Sequence, residues 1–323
     1  MTSSKPQRVL VTGGAGFIGS NIVDRLLLEQ YEVGVLDNLA TGNIANVAKH
    51  VSENKIRFHN CDISNYEEAA KIVKDYDAVI HEAALVSVSR SVEDPVLVNN
   101  VNVSGTVNLL KAAVDSSIQK FIYASSSSVY GDTEILPKKE TMNPSPISPY
   151  GVSKLTAENY CKAFAKVYGL RTVSLRYFNV YGPRQKYGHY SGVIPTFIKS
   201  AINNESPMIN GDGEQIRDFT FVEDVVQANM LALRNHVSPG EVFNVANGGT
   251  ISINELARLI INLAGKPDLR PTHGPERKGD IRASYADISK ISQSLGYRPQ
   301  VRIGAGLQRV FDWFVTGNQS ELA

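Results

Sequence analysis

The chain has 323 residues, 42% of them hydrophobic, which favours a sizeable folded core over disorder. Lys and Arg number 33 against 32 Asp and Glu, so the chain lacks the basic excess that nucleic acid or an anionic membrane would require of a partner. Its two cysteines, Cys61 and Cys161, show no metal-binding spacing or disulfide framework. Without a signal peptide or a long apolar run, we expect a cytoplasmic protein that takes no metal.

Short β-branched segments alternate with helical patterns through the first half of the chain. The predicted strands are RVLVT, EVGVLD, KIRFHNC, DAVIHEAA, KFIYASS and RTVSLRYF, and the predicted helices cover 20–30, 65–75, 99–116 and 150–168. Continuous apolar strands separated by helices indicate a parallel sheet covered on both faces. The pattern therefore predicts a Rossmann-type, doubly wound α/β fold.

The pattern changes after Phe178 to loops rich in Gly and Pro, followed by further helices. These helices are predicted near 222–235, 252–264, 287–295 and 303–316, and EVFNVAN is expected to return to the sheet as a strand. We expect a larger domain of residues 7–180 plus 219–247 and a smaller, interleaved C-terminal lobe of 181–218 plus 248–323. The cleft between them is the expected ligand site.

A glycine-rich turn, TGGAGFIGS, follows the first strand directly and leads into a helix. Gly13, Gly16 and Gly19 stand where backbone N–H groups must approach a pyrophosphate at a helix N-terminus. The second strand ends in Asp37, whose carboxylate can accept hydrogen bonds from an adenosine ribose. No arginine adjoins Asp37 to compensate a 2′-phosphate, so the sequence favours NAD over NADP.

Three further positions at carboxyl ends of strands are candidates for contact with the dinucleotide. Asp62 follows the third strand, and Ala83 and Ala84 follow the fourth. Each also has an ordinary loop explanation. For Asp62 the alternative is a helix N-cap before Asn65, which requires no ligand.

Tyr150 and Lys154 are four residues apart in SPYGVSKLTAENY and therefore share one face of a predicted helix. Any helix can carry this pair, but this one follows the strand that ends in the serines at 125–128, where NAD is expected. As a base, Tyr150 would need its pKa lowered from ~10 by ~3 units. The Lys154 ammonium and the nicotinamide cation could together supply that shift.

These features resemble the extended short-chain dehydrogenase/reductase superfamily over almost the whole chain. More narrowly, HEAALVSV, ASSSSVYGD, SPYGVSK, LRYFNVYGPRQ, INGDGEQIRDF and GDIRASYADISK resemble the nucleotide-sugar epimerases that invert C4 of UDP-hexoses and UDP-N-acetylhexosamines. The resemblance makes Ser126, four residues before Tyr130, the catalytic hydroxyl beside Tyr150 and Lys154. Tyr130 itself is expected to be structural.

The same resemblance excludes some relatives. Sugar-nucleotide 4,6-dehydratases carry Thr-Asp-Glu where this chain has Ser126, Ser127 and Ser128, and UDP-glucuronate decarboxylases usually carry a glutamate at the position of Ser128. UDP-glucuronate 4-epimerases can share SSSSVYG and stay open. Their substrate carboxylate would need a cationic or hydroxyl-rich pocket, which Arg90, Ser87 and Ser89 could supply.

The resemblance also implies two sets of ligand-binding residues. The expected NAD-binding residues are Gly13, Gly16, Phe17, Ile18, Gly19, Asp37, Asn38, Asp62, Ile63, Ala83, Ala84, Asn102, Ser125, Tyr150, Lys154 and Tyr177. The expected UDP-sugar-binding residues are Ser87, Ser126, Ser127, Ser128, Tyr150, Asn179, Val193, Arg217, Arg277, Asp280 and Ser284. Within the second set, the two arginines are expected to clamp the diphosphate because guanidinium groups match its oxygens.

One position bears on the choice of sugar. The family places a tyrosine beside the C2 substituent in enzymes restricted to plain hexoses and a smaller residue in those that accept N-acetyl groups. Alignment of ASYADISK puts Ser284 there, which leaves room for an acetamido group, whereas a slip of one residue would put Tyr285 there.

The sequence thus predicts an NAD-dependent UDP-sugar 4-epimerase. UDP-hexuronic acids are the alternative substrates, and a non-catalytic NAD-binding regulator, which would be expected to lack Tyr150 or Lys154, is the alternative from another class. The family commonly dimerises through a four-helix bundle, here through the helices near 99–116 and 150–168.

Overall fold

A seven-stranded parallel sheet forms the centre of the molecule. The computed structural model describes residues 7–186, 192–276 and 281–316. The sheet has the strand order β11-β6-β5-β4-β1-β2-β3. Its strands are β1 (Arg8–Thr12), β2 (Glu32–Leu36), β3 (Ile56–His59), β4 (Ala78–His81), β5 (Lys120–Ser126), β6 (Thr172–Tyr177) and β11 (Glu241–Val245). All six pairings are parallel, as the continuous apolar runs predict.

Helices cover both faces of this sheet. Those along the first part of the chain are α1 (Phe17–Leu28), α2 (Ala48–Ser52), α3 (Tyr66–Val73), α4 (Val88–Glu93), α5 (Pro95–Asn99), α6 (Gly105–Asp115) and α7 (Pro149–Tyr168). A π-helical turn, Asn100–Ser104, joins α5 to α6. The helix expected at 99–116 therefore begins four residues earlier, where Asp94 caps α5 and Pro95 occupies its first turn.

The rest of the chain adds helices and several very short strands. The helices are α8 (Val193–Ile202), α9 (Val222–Arg234), α10 (Ile253–Leu263), α11 (Ser289–Leu295) and α12 (Ile303–Thr316). The strands are β7 (Val180–Tyr181), β8 (Met208–Asn210), β9 (Ile216–Arg217), β10 (Thr220–Phe221), β12 (Ile251–Ser252), β13 (Thr272–Gly274) and β14 (Ala283–Ser284). Sequence analysis predicted neither α8 nor these short strands.

Buried apolar side chains form separate clusters around these layers. One lies between the sheet and α1 and α9, and another lies on the opposite face under α3, α6 and α7. A third joins α8, α10 and α12 beyond the carboxyl ends of the strands. Ile291, Leu295 and Tyr297 pack into the first cluster although they lie late in the chain. The division into a larger domain and an interleaved lobe stays a prediction.

No helix in the described ranges is long and apolar enough to cross a membrane. The same ranges contain no group of three or more His, Cys, Asp or Glu side chains that could hold a metal ion. Cys61 and Cys161 are both buried free thiols.

Candidate active site

The glycine turn after β1 packs so tightly that side chains are excluded. Gly13 has a φ of 68°, and a Cβ there would lie 2.6 Å from the backbone nitrogen of Ala83. A Cβ on Gly19, in the first turn of α1, would lie 2.2 Å from the carbonyl oxygen of Gly13. Gly16 is the N-cap of α1, and its N–H donates to that same oxygen. The turn thus keeps backbone amides accessible at a helix N-terminus, as a pyrophosphate requires.

The carboxylate of Asp37 lies beside this turn, at the end of β2. It accepts hydrogen bonds from the backbone N–H groups of Ala15 (3.0 Å) and Leu39 (2.8 Å). Burial raises its pKa despite these bonds. The residue therefore links the glycine turn to the loop after β2, where an adenosine ribose is expected.

The neighbouring loop residues form a second polar group. Asn38 donates to Asp62 at 2.8 Å, and Asp62 also accepts bonds from the N–H and hydroxyl of Ser64. The N-cap of α3 is Asn65, which accepts from the Glu68 N–H, so the alternative of Asp62 as that cap is wrong. Ile63 is buried against Gly105.

Two predicted cofactor residues are fully engaged within the protein. Asn102 is buried and forms hydrogen bonds with both backbone groups of Leu85 and with the Ser153 hydroxyl, which ties the loop after β4 to α7. Ser125 donates to Glu158 at 2.9 Å. Their side chains thus position the elements around the site. Phe17 and Ile18, at the start of α1, pack partly against the third apolar cluster, and Ala83 and Ala84 lie half-buried after β4.

The predicted catalytic residues lie where the end of β5 meets the first turns of α7. Ser148 caps α7 by accepting from Gly151 N–H, and Pro149 stands in the first turn. This start places the Tyr150 hydroxyl beside Ser126, which acts to lower the pKa of Tyr150. Ser126 also accepts bonds from the backbone N–H and the hydroxyl of Ser128, at 3.1 and 2.9 Å. Ser127 and Ser128 begin a 3-10 turn, Ser127–Tyr130.

The ionisable groups here are shifted mainly by burial. Burial raises the pKa of Tyr150 to about 12, although the neighbouring Ser126 acts the other way. Burial lowers the pKa of Lys154 to about 8. The Lys154 ammonium donates to the carbonyl of Ala124 at 2.9 Å and lies 5.2 Å from the centre of the Tyr123 ring. The chain by itself therefore leaves Tyr150 protonated near neutral pH.

A second buried network supports β5, the strand that ends in Ser125 and Ser126. Glu158, two turns after Tyr150 and fully buried, receives two bonds from Arg176 (2.9 and 2.7 Å) and one from Lys162 (3.0 Å), besides that from Ser125. Arg176 lies 4.7 Å above the Tyr130 ring, and Tyr130 donates to Asn244 at 2.7 Å. This placement gives Tyr130 a structural role in the described chain.

Sequence analysis also missed Glu82, which follows His81 at the end of β4. Its carboxylate accepts a 2.7 Å bond from the Tyr177 hydroxyl. Burial raises the pKa of Glu82 to about 7, while the Tyr177 bond and the charge of Lys154 act in the opposite direction. An acidic residue in the apolar run DAVIHEAA was the available signal.

Three predicted substrate residues line one cavity of about 320 Å³. They are Asn179, Val193 and Arg217. Asn179 donates to the carbonyl of Asp218 at 2.9 Å, and β9 pairs Arg217 with Ser284 of β14. Ser284 is 7% exposed. The structure thus pairs Arg217, one of the two predicted clamp arginines, with Ser284, the predicted C2 gate. Arg277 and Asp280 lie outside the described residues.

One of the residues proposed for a sugar carboxylate, Ser87, has another partner. Ser87 is the N-cap of α4 and accepts from the Arg90 N–H at 3.1 Å. Ser87, Ser89 and Arg90 are all half-buried. Helix capping is therefore one established use of the Ser87 hydroxyl.

Comparisons with known proteins agree with this geometry. A putative UDP-glucose 4-epimerase of Methanocaldococcus jannaschii is 41% identical over 97% of this chain and 100% of its own length. The solved UDP-glucose 4-epimerase of Thermotoga maritima with UDP-glucose is 39% identical, with a TM-score of 0.90 over 95% of this chain and 98% of that one. A UDP-N-acetylglucosamine 4-epimerase of Methanobrevibacter ruminantium, in complex with UDP-N-acetylmuramic acid, is also 39% identical, with a TM-score of 0.92 over 98% and 100%.

The sequence model of one enzyme family matches residues 9–246. This span includes the glycine turn, Asp37, the serines at the end of β5, Tyr150 and Lys154. The fit of the glycine turn to a pyrophosphate and the position of Asp37 agree with the cofactor in the family's name. The chain therefore belongs to the NAD dependent epimerase/dehydratase family, and NAD is its cofactor.

Proposed function

We propose that this enzyme inverts C4 of UDP-hexoses, including UDP-N-acetylhexosamines. The observation that carries the proposal is the placement of the Tyr150 hydroxyl next to Ser126, on the same helix as the buried Lys154 ammonium. A tyrosine so placed can remove the proton from the sugar's 4-hydroxyl, while Ser126 hydrogen-bonds the same oxygen. Relatives of similar length are named as 4-epimerases of UDP-glucose or UDP-N-acetylglucosamine, which supports the reaction and leaves the preferred sugar to experiment.

Each group in the site has one task in this reaction. Bound NAD supplies a hydride acceptor and donor for C4, and its positive charge favours the Tyr150 phenolate. Tyr150 takes the hydroxyl proton and returns it once the 4-keto sugar has presented its other face. Lys154, fixed on the Ala124 carbonyl, adds a positive charge one helical turn from Tyr150. Serine at 126–128 provides no acid for loss of water, which distinguishes the site from dehydratases.

The UDP end is assigned to the second lobe. Arg217 and Asn179 line the same cavity and suit the diphosphate and ribose oxygens. Arg277 and Asp280 are proposed to assist from the sequence resemblance alone. Because the product is an epimer and the cofactor is regenerated in each turnover, we expect NAD to stay bound.

The Ser284→Tyr variant tests the choice of sugar. Ser284 lies beside Arg217, so a tyrosine there should obstruct a C2 acetamido group and spare a C2 hydroxyl. We expect interconversion of UDP-GlcNAc and UDP-GalNAc to fall at least about tenfold relative to that of UDP-Glc and UDP-Gal. The measurement is kcat/KM for both pairs, with Ser284→Ala as the control that should keep both activities.

Two outcomes would contradict this assignment. Equal loss of both activities in Ser284→Tyr would exclude Ser284 as the gate. A change of sugar preference in Tyr285→Ser, with none in Ser284→Tyr, would assign the gate to Tyr285. Including UDP-glucuronate and UDP-N-acetylglucosaminuronate in the panel tests the uronic acid alternative, which requires higher activity on those substrates than on the neutral sugars.

We also propose a homodimer formed through α7 and, in place of the helix expected at 99–116, through α4 and α5, where the exposed apolar side chains lie. Val152, Tyr160 and Val167 follow one another at helical spacing along α7 and are all exposed. Val92 and Val96, on the adjoining helices α4 and α5, are exposed as well. An apolar surface of this kind is typical of a protein interface.

The dimer is tested by the mass of the protein in solution. We expect about twice the chain mass of 35.3 kDa by light scattering. Val96→Glu should shift the protein to monomer, because Val96 is 78% exposed in one chain and a charge would be buried at the interface. A wild-type monomer, or an unchanged dimer in Val96→Glu, would contradict the proposed surface.

A further inference from the structure

Glu82 places a carboxylate inside the half of the site where catalysis occurs. It follows β4 and is half-buried. A Cβ on Gly13 would lie 2.9 Å from the carbonyl carbon of Glu82, so its backbone adjoins the pyrophosphate turn. Its charge also acts on Tyr150 and Lys154. The dinucleotide must extend from the glycine turn to Tyr150, and Glu82 lies along that path.

The Glu82 carboxylate is held in place by a chain of hydrogen bonds. This chain starts on α9, which covers the face of the sheet opposite to α7. Tyr177, 8% exposed, donates to Glu82 at 2.7 Å. The buried amide of Asn229 on α9 donates to the Tyr177 oxygen at 2.7 Å, which leaves the Tyr177 proton directed to Glu82. The acidic side chain is therefore fixed and does not swing freely towards solvent.

A neutral amide would satisfy the same hydrogen bond. The Oε1 atom of glutamine could accept from Tyr177, and glutamine would avoid the cost of keeping a charge in a half-buried position. The chain instead carries a group whose charge disfavours the Tyr150 phenolate and favours the Lys154 ammonium. The hydrogen bond with Tyr177 therefore does not explain why residue 82 carries a charge.

The groups that face Glu82 can be assigned element by element. Tyr177 lies on β6 and Tyr123 on β5, and burial raises the pKa of both hydroxyls well above the ordinary value. Tyr150 and Lys154 lie on α7. Near neutral pH the tyrosines are uncharged, so Lys154 is the cation among these groups that Glu82 can pair with. The positively charged nicotinamide of bound NAD would also react beside Tyr150. Its charge would then be within the range of the Glu82 carboxylate.

We propose that the Glu82 carboxylate is a counter-charge that favours the oxidised, positively charged form of the bound cofactor over its reduced form. Glu82 acts as a positioning residue, since it sets the charge balance of the site and takes no proton from the sugar. The role suits an enzyme that must end each turnover with oxidised cofactor. It rests on NAD as the cofactor and does not depend on which sugar is the substrate.

The test compares the redox equilibrium of the cofactor in wild-type and Glu82→Gln holoenzyme. Each protein is equilibrated with redox buffers without sugar, and the absorbance of the reduced ring gives the oxidised-to-reduced ratio relative to free NAD. At about pH 8, above the pKa of about 7 to which burial raises Glu82, we expect the ratio to be about tenfold lower in Glu82→Gln. The difference should shrink as the pH falls, because protonated Glu82 carries no charge.

Two further variants separate charge from structure. Tyr177→Phe keeps the carboxylate and removes the bond that lowers its pKa, so the pH dependence should shift to higher pH. This variant also tests the proposal if Glu82→Gln does not fold. Glu205→Gln, at an exposed loop position, should match wild type. An unchanged ratio in Glu82→Gln, an unshifted profile in Tyr177→Phe, or the same change in Glu205→Gln would overturn the proposal. Because no sugar is present, failure here leaves the proposed epimerase activity untouched.

Discussion

Tyr150→Phe is expected to lose epimerase activity by about 10³-fold or more while keeping its fold and its bound NAD. The substitution removes only the hydroxyl, which lies beside Ser126, and leaves the half-buried ring in place. The loss should therefore appear in kcat, with little change in thermal stability. Initial rates with UDP-glucose, together with the NAD content of the purified protein, measure both effects.

A tyrosine on the same helix provides the control. Tyr160 is 40% exposed and lies ten residues after Tyr150 on α7, away from Ser126. Tyr160→Phe should therefore keep kcat near the wild-type value. Activity of Tyr150→Phe within a few-fold of wild type would exclude Tyr150 as the base. Loss of NAD from this variant would instead indicate a role in cofactor binding.

Glu158→Gln is expected to lower the free energy of unfolding by about 3–5 kcal/mol. Each carboxylate oxygen of Glu158 receives two donors: Arg176 and Lys162 on one oxygen, Arg176 and Ser125 on the other. Whichever way a glutamine side chain is turned, its NH₂ group would face donors. The Arg176 guanidinium, buried with one nitrogen already lacking a partner among the described residues, would lose its counter-charge.

Denaturant unfolding of three variants tests this account. Lys111→Gln breaks an exposed ion pair with Asp115 at the same i,i+4 spacing as Glu158 and Lys162, and it should cost little because solvent screens exposed charges. The double variant Glu158→Leu with Arg176→Met removes both charges and should cost less than Glu158→Gln alone. A cost for Glu158→Gln no larger than that of Lys111→Gln would contradict a stabilising buried pair.

This pair also has a defined pH dependence. Although burial opposes ionisation, the bonds and charge of Arg176 hold the pKa of Glu158 below its ordinary value. The pair therefore stabilises the fold above the unfolded pKa of glutamate, and this contribution is lost as the pH falls through the folded pKa.

The sequence predicted the sheet well because its strands are continuous apolar runs. All seven strands of the central sheet were expected from segments such as RVLVT and EVFNVAN, and the pairings are parallel as predicted. The short strands β9 and β14, of two residues each, carry no periodicity, so their pairing became visible only in the structure. α8 was missed because VIPTFIKSAI follows a glycine-rich loop and contains Pro195, which the first turn of a helix tolerates.

The placement of Tyr150 and Lys154 was predictable for a different reason. Tyr150 and Lys154 lie on one helix, so their spacing alone places them on one face. Glu158 continues the same face by another turn, and a charged residue at that position was a signal that sequence analysis did not use. The contact between Glu82 and Tyr177 could not be predicted from a local pattern, because the two residues are 95 positions apart in the sequence.

Epimerisation in deuterated water tests the central claim most directly. Purified protein is incubated with UDP-Glc and, separately, with UDP-GlcNAc, and the C4 position of substrate and product is followed by NMR. The account predicts that UDP-Gal and UDP-GalNAc form without deuterium at C4, because the hydrogen removed from C4 returns through the bound cofactor. Absence of interconversion, or products carrying solvent deuterium at C4, would contradict it.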